Sequence, residues 1–188
     1  MLAKKDKMTS FQAVHSEEQI VEVARLAREI WQEHYVPIIG QKQVDYMLEK
    51  FQSERAVVEQ VGESYEYYIV IHHGQSVGYV AVVPNRSEPT LKISKIYVRK
   101  SERSHGLGKE TLQFVENLCL QRGIKMIWLT VNKNNTHSIA WYSRMGFRNA
   151  GPMIQEIGGG FVMDDFRFEK TIGQQSPGGD SLQATPLE

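Results

Sequence analysis

The sequence predicts one mixed α/β (α+β) domain of seven strands and about four helices. Three features carry that prediction. Helical stripes with three-four spacing open the chain, β-branched and aromatic runs separated by turns fill its middle, and strand and helix patterns alternate after that. With 188 residues, 41% hydrophobic and 23% charged, the chain has the length and apolar content of a single compact domain.

Phe11 to Val14 reads as the first strand. Ser16, followed three residues later by Gln19, is a capping box that opens a helix. Ile20, Val23, Ala24, Ala27, Ile30 and Trp31 then recur on one helical face. Pro37 biases the residue before it away from helical backbone, so this helix is expected to stop near Tyr35. A second amphipathic helix carries Val44, Met47, Leu48 and Phe51 on its inner stripe.

The runs YEYYIVIHHG, QSVGYVAVVP and TLKISKIYV predict an antiparallel meander with turns at Gly74 and Pro84-Asn85. After the turn RSHGLG comes a helix with Leu112, Val115, Leu118 and Cys119 inward, stopped at Gly123, then the strand MIWLTV. A short helix runs from about Asn135 to Met145 and ends at Gly146. Strands around Phe147 to Gln155 and Phe161 to Phe168, joined by Gly158-Gly159-Gly160, close the domain. Residues 1–8 are expected to be a flexible start and 9–172 the folded domain. The segment 173–188 has no aromatic and is rich in Gly, Ser, Pro and Gln, which predicts a disordered tail.

Lys+Arg and Asp+Glu both number 22, so no overall field draws the chain toward nucleic acid or an anionic membrane. No apolar run has membrane-spanning length, and neither nucleic acid nor membrane is expected as a partner. The single cysteine, Cys119, can make neither an internal disulfide nor a thiolate metal site, which fits the cytoplasm. His72 and His73 project to opposite faces of a strand and have no partner at ligand spacing in the sequence, so no metal is expected.

Arg103-Ser104-His105-Gly106-Leu107-Gly108-Lys109 lies between a strand and a helix. A dinucleotide fingerprint needs a third glycine where Thr111 stands. A Walker A loop needs a glycine at Arg103 and a Ser or Thr at Glu110. What remains is either ordinary turn chemistry or a turn whose backbone N–H groups approach an anion at the positive end of a helix, with Arg103 and Lys109 adding charge.

The order strand, R-x-x-G-x-G, helix, strand, then Asn135 to Tyr142 and Gly146-Phe147, resembles the GNAT superfamily of acyl-CoA-dependent N-acyltransferases over about residues 9 to 172. The resemblance implies a GNAT-type mixed, mostly antiparallel seven-stranded sheet with a central splayed parallel strand pair and about four flanking helices. It implies acetyl transfer from acetyl-CoA to a primary amine of a small molecule or peptide by direct attack in a ternary complex. By the same likeness, Arg103, Ser104, His105, Gly106, Leu107, Gly108 and Lys109 hold the diphosphate of acetyl-CoA. The Ile96, Tyr97 and Val98 stretch offers amides to the pantetheine arm and thioester, Asn135 contacts that arm, and Tyr142 protonates the leaving thiolate. No metal is implied, and a homodimer stays open.

The residues themselves speak to the splay. Leu91 and Ile93 alternate in one phase and Ile96 and Val98 in the other, as a bulge near Ser94-Lys95 would make them; a strand buried on both faces reads the same way. Asn135 also suits a helix N-cap, Tyr142 also suits a core aromatic, and Ser138 stands where the family often has alanine. Leu91 to Lys95 lacks the acid that several family members carry there, so the base must come from water or from another segment. Glu33, His34 and Tyr35 at the end of the first helix are candidates for the acceptor side. So is Asp164, which alternation in FVMDDFRFE puts on the face of Val162, Phe166 and Phe168, where it either attracts a cationic amine or satisfies backbone donors, while Asp165 faces the other way with Arg167 and Glu169, solvated or paired. A non-catalytic acyl-CoA-binding or sensing module of the same fold is the alternative.

Overall fold

A computed structural model describes residues 9–173. The expectations for residues 1–8 and for the tail from 174 onward therefore fall outside the described residues. Within this span the order is β1 (Thr9–Ala13), α1 (Glu17–Ile39), α2 (Gln41–Gln52), α3 (Glu54–Gly62), β2 (Glu66–His72), β3 (Gln75–Pro84) and β4 (Thr90–Val98). A 3-10 turn (Lys100–Glu102) leads to α4 (Leu107–Gln121), β5 (Met126–Asn132), α5 (Thr136–Arg144), β6 (Arg148–Gly158) and β7 (Phe161–Thr171). The seven strands form one sheet in the order β1-β2-β3-β4-β5-β7-β6. Only β4 and β5 run parallel; every other neighbouring pair is antiparallel.

The start of α1 follows the sequence. Ser16 Oγ accepts from the Gln19 N–H and Gln19 Oε1 accepts from the Ser16 N–H, closing the capping box. Its end does not. The helix runs through Pro37 to Ile39 and is capped by Gly40, whose N–H donates to the Val36 carbonyl. Proline removes a helical donor, but Tyr35, Val36 and Ile39 pack against the core on this side, and their burial outweighs the local preference. The fifth helix, α3, has no counterpart in the sequence reading. Only Ala56 and Val57 of its nine residues are buried, so its apolar stripe is too short to register as a period. Ser53, which caps it by accepting from the Ala56 N–H, was the available signal.

The two larger of three buried clusters lie on opposite faces of the sheet. On one, α1, α2 and α3 bury Leu26, Ile30, Trp31, Val44, Tyr67 and Tyr79. On the other, α4 and α5 bury Leu91, Ile93, Val115, Ile127, Leu129 and Phe168. Strand β4 serves both through a bulge. Ala81 pairs with Lys95 and Val82 with Ile93, so Ser94 has no partner on β3, which bears out the predicted slip. Ile93 and Ile96, three apart, consequently share the α4 face. On its other side β4 pairs with β5 only at Thr90, Leu91 and Lys92, against Met126, Ile127 and Trp128. From Ile93 onward the two strands diverge.

The same bulge turns Lys95 toward the helical roof, where it is 5% exposed. Its Nζ donates to the Phe51 carbonyl (2.8 Å) and Gln60 Oε1 (2.6 Å), and contacts the Tyr67 hydroxyl. No carboxylate pairs with it among the described residues. Burial, with Lys92 as a lesser cause, pulls its ammonium down to about 7. The native state then binds fewer protons than the unfolded chain between about pH 7 and the ordinary lysine range, so stability rises with pH through that window. In urea denaturation at pH 7 and pH 9, the wild-type protein is expected to gain about 2 kcal/mol relative to Lys95→Met. An unchanged difference between the two would show that Lys95 stays charged in its pocket.

Candidate active site

Where β4 and β5 part, a cavity of about 440 Å³ opens. One wall is β4 from Ile93 to Val98, the other is Leu129, Thr130 and Val131 of β5. Each strand edge has lost its neighbour there, so main-chain groups that a continuous sheet would pair are left facing the gap.

At the mouth lies the turn before α4. The helix begins at Leu107, two residues earlier than the sequence pattern indicated, with Gly106 as N-cap. The first helical bond runs from the Glu110 N–H to the Gly106 carbonyl (3.0 Å), and no side chain caps the helix. The amides of Leu107, Gly108 and Lys109 are thus left without intrahelical partners, at the positive end of a fifteen-residue helix. Gly106 has φ +80°, which a side chain would strain, and a Cβ on Gly108 would press on the Trp141 ring at 3.3 Å. Arg103, Ser104, Gly106, Leu107, Gly108 and Lys109 all line the cavity. His105 does not; its Nδ1 faces Glu102 at 3.4 Å. The donor set of three open amides beside Arg103 and Lys109 fits a diphosphate.

The floor comes from α5. Asn135 is buried, and its Oδ1 accepts from the Ser138 N–H at 3.2 Å as the N-cap of that helix. Its Nδ2 lies 3.3 Å from His34 Nε2, so the amide faces the cavity while the oxygen caps. Tyr142, 8% exposed, packs against Trp141 and Phe147 and lines the cavity. Burial raises its ionisation well above the usual phenol range, so its hydroxyl stays a proton donor. It is a core aromatic that also forms part of the cavity wall.

The roof is the end of α1. His34 lies between Asn135 and Arg103, whose Nη1 is 3.4 Å from His34 Nδ1. Burial foremost, then Arg103 and His137, push its pKa down to about 4, so the ring is neutral. Tyr35 packs tilted against Trp31 and contacts Tyr97 edge-on. Glu33 does not line the cavity and pairs with Lys100 at 3.7 Å. Of the three α1 candidates, the fold therefore brings His34 and Tyr35 to the site and leaves Glu33 outside it.

The acids of β7 correct the sequence. Asp164 does share its face with Phe166, but it lies past the end of β5, where it is partly exposed and paired with Lys133. Asp165 is the buried acid, 5% exposed, opposite Asn132 and on the face that α1 and α2 cover. Burial raises its pKa while the Thr130 hydroxyl opposes that shift, and Tyr35 lies within its field. Alternation separated the two acids onto opposite faces correctly. It could not show that both faces of this sheet are covered.

Fold and cleft together define an acetyltransferase-type domain with a sheet split at its one parallel pair. The chain belongs to the acetyltransferase (GNAT) family, which matches residues 22–147. A curated relative, the [ribosomal protein bS18]-alanine N-acetyltransferase of Escherichia coli (strain K12), is 28% identical over 98 residues, covering 52% of this chain and 65% of that protein. The matched part thus spans slightly less than two thirds of the relative's length. Among solved structures, the PaiA N-acetyltransferase of Thermoplasma acidophilum in complex with coenzyme A superposes with a TM-score of 0.68 at 17% identity, over 86% of this chain and 99% of that one. The spermidine N-acetyltransferase of Vibrio cholerae in complex with CoA and spermine gives 0.65 at 12% identity, over 89% and 97%. These two likenesses concern the fold. Among the described residues, no helix is long and apolar enough to cross a membrane.

The two roles of Asn135 can be separated. Asn135→Ala is expected to lose about 1 kcal/mol of stability with the cap, whereas Asn135→Asp keeps an acceptor for the Ser138 N–H and holds its Tm. Equal destabilisation by both, in thermal unfolding, would mean that the amide toward His34 carries the energy.

Proposed function

We propose that this protein is an acetyl-CoA-dependent N-acetyltransferase that acetylates a primary amine of a small molecule or peptide by direct attack in a ternary complex. The observation that carries the reading is the gap between β4 and β5, which ends at three uncapped amides. An elongated thioester with a diphosphate in its body suits that shape, and the Thermoplasma acetyltransferase of like fold is a complex with coenzyme A.

Leu107, Gly108 and Lys109 would hold the diphosphate, with Arg103 turning from His34 toward it. Asn135 would fix the pantetheine arm through its amide. Free amides of β4 beyond the bulge would polarise the thioester carbonyl. The amine nitrogen bonds to the acetyl carbon as the carbon–sulfur bond breaks. Tyr142 then gives its proton to the departing sulfur, and the amine proton leaves toward Asp165 by way of the Thr130 hydroxyl or water. Asp165 replaces the strand acid that β4 lacks. The relatives' names point to different amines, an alanine of a ribosomal protein in one and spermidine in another, so the acceptor here is assigned only as a primary amine.

Thiol release from acetyl-CoA across an amine panel tests the reading. Tyr142→Phe is expected to lower kcat by about a hundredfold while leaving the KM for acetyl-CoA within about threefold. Tight acetyl-CoA binding with no release on any amine would instead support the non-catalytic acyl-CoA-binding module. For Asp165 the test is the pH profile. Activity needs its carboxylate ionised, and its raised pKa places the acid limb of kcat/KM above the ordinary carboxylate range. Asp165→Asn is expected to remove that limb; a surviving limb would return the base to another group.

A further inference from the structure

His72 ends β2, at a two-residue turn in which His73 has φ +49° and Gly74 φ +75°. That turn joins it to Gln75 of β3, its partner in register. Farther along the chain, Glu102 closes the 3-10 turn and His105 stands in the phosphate turn between Ser104 and Gly106, both at positive φ. The fold brings these three side chains together. One ligand atom from each of His72, Glu102 and His105 lies within 4.8 Å of the others. The His72 and His105 rings lie nearly parallel, 6.2 Å apart. In the sequence His72 has no partner at ligand spacing; tertiary structure supplies two.

We propose that His72, Glu102 and His105 form a divalent transition-metal site, with zinc as the ion its donors suit, that fastens the phosphate turn to the β2–β3 hairpin. Two imidazoles and one carboxylate are the donor chemistry of zinc and its neighbours, whereas magnesium and calcium take oxygen ligands. His72 is prepared for the role. Its Nδ1 lies 3.0 Å from the Oγ1 of buried Thr9, so when Nδ1–H donates there, Nε2 keeps its lone pair and the ring is held in place. His105 is 58% exposed, and Glu102 is already 3.4 Å from it. Rotation of these two closes the cluster from 4.8 Å toward the separation of about 3.3 Å that donors take around tetrahedral zinc. A water completes the fourth position.

The site is separate from the transfer chemistry, since neither His72 nor Glu102 lines the cavity. It acts on the turn. Arg103 and Ser104 lie between Glu102 and His105, so an ion gripping both ends of that segment narrows the conformations open to the diphosphate cradle.

The test is calorimetric titration of the chelator-treated protein with zinc chloride, with cobalt(II) absorption as a second readout. The proposal expects one saturable equivalent, a raised Tm with zinc, and a visible cobalt spectrum of low-coordinate type. His105→Ala, on the surface, and His72→Ala are each expected to weaken binding by about tenfold or more, with His73→Ala as a control that leaves it unchanged. Millimolar magnesium is expected not to compete. Absence of a saturable equivalent in the wild-type protein overturns the proposal, as does undiminished binding in a folded His105→Ala variant.

Discussion

A single extra residue in β4 sets the geometry on which everything else rests. Ser94 has no partner on β3, so the strand turns about its axis and leaves β5 after three paired residues. Main-chain groups that would have zipped two parallel strands together instead face a cavity, and a buried unpaired amide or carbonyl is costly unless something else satisfies it. The split suits a ligand with matching polar groups, which is the basis of the function proposed above. The uncapped start of α4 lies at the same opening, so that the strand edge and the helix amides line one cavity.

The bulge also divides labour between the faces of the sheet. Toward α4 and α5 the side chains are almost wholly apolar, and they set the spacing of the strands. Toward α1 and α2 the sheet carries Lys95, Asp165 and a group of tyrosines, which burial holds away from their ordinary ionisation. Neutral His34 joins the two halves of the site by reaching both Arg103 and Asn135 from α1. A neutral imidazole accepts on only one of its nitrogens, so the donors Arg103 and Asn135 compete for it, and drawing Arg103 away would free the ring to accept from Asn135.

Much of this was legible in the residues. Ser16 and Gln19 announced the capping box, the phase change from Leu91-Ile93 to Ile96-Val98 agreed with the bulge, and Gly106 with Gly108 announced a tight turn into a helix. These signals are local, because each depends on a few neighbours along the chain. Pro37 misled for the same reason: it reports a local preference, and the packing of α1 against the core overrode it. Helix α3 escaped because a helix that buries two residues leaves almost no period.

The sequence by itself determined the number of the strands and their order along the chain, and the turn before α4, since dihedral preferences and periodicity act over a few positions, and it offered the slip in β4 as one of two readings. Only the tertiary structure decided that Asp165 and not Asp164 is buried, that Lys95 has no counter-charge among the described residues, and that His72 meets Glu102 and His105. Burial and charge pairing are set by which distant segments cover a face. Alternation along one strand distinguishes its two sides but carries no information about what lies on either.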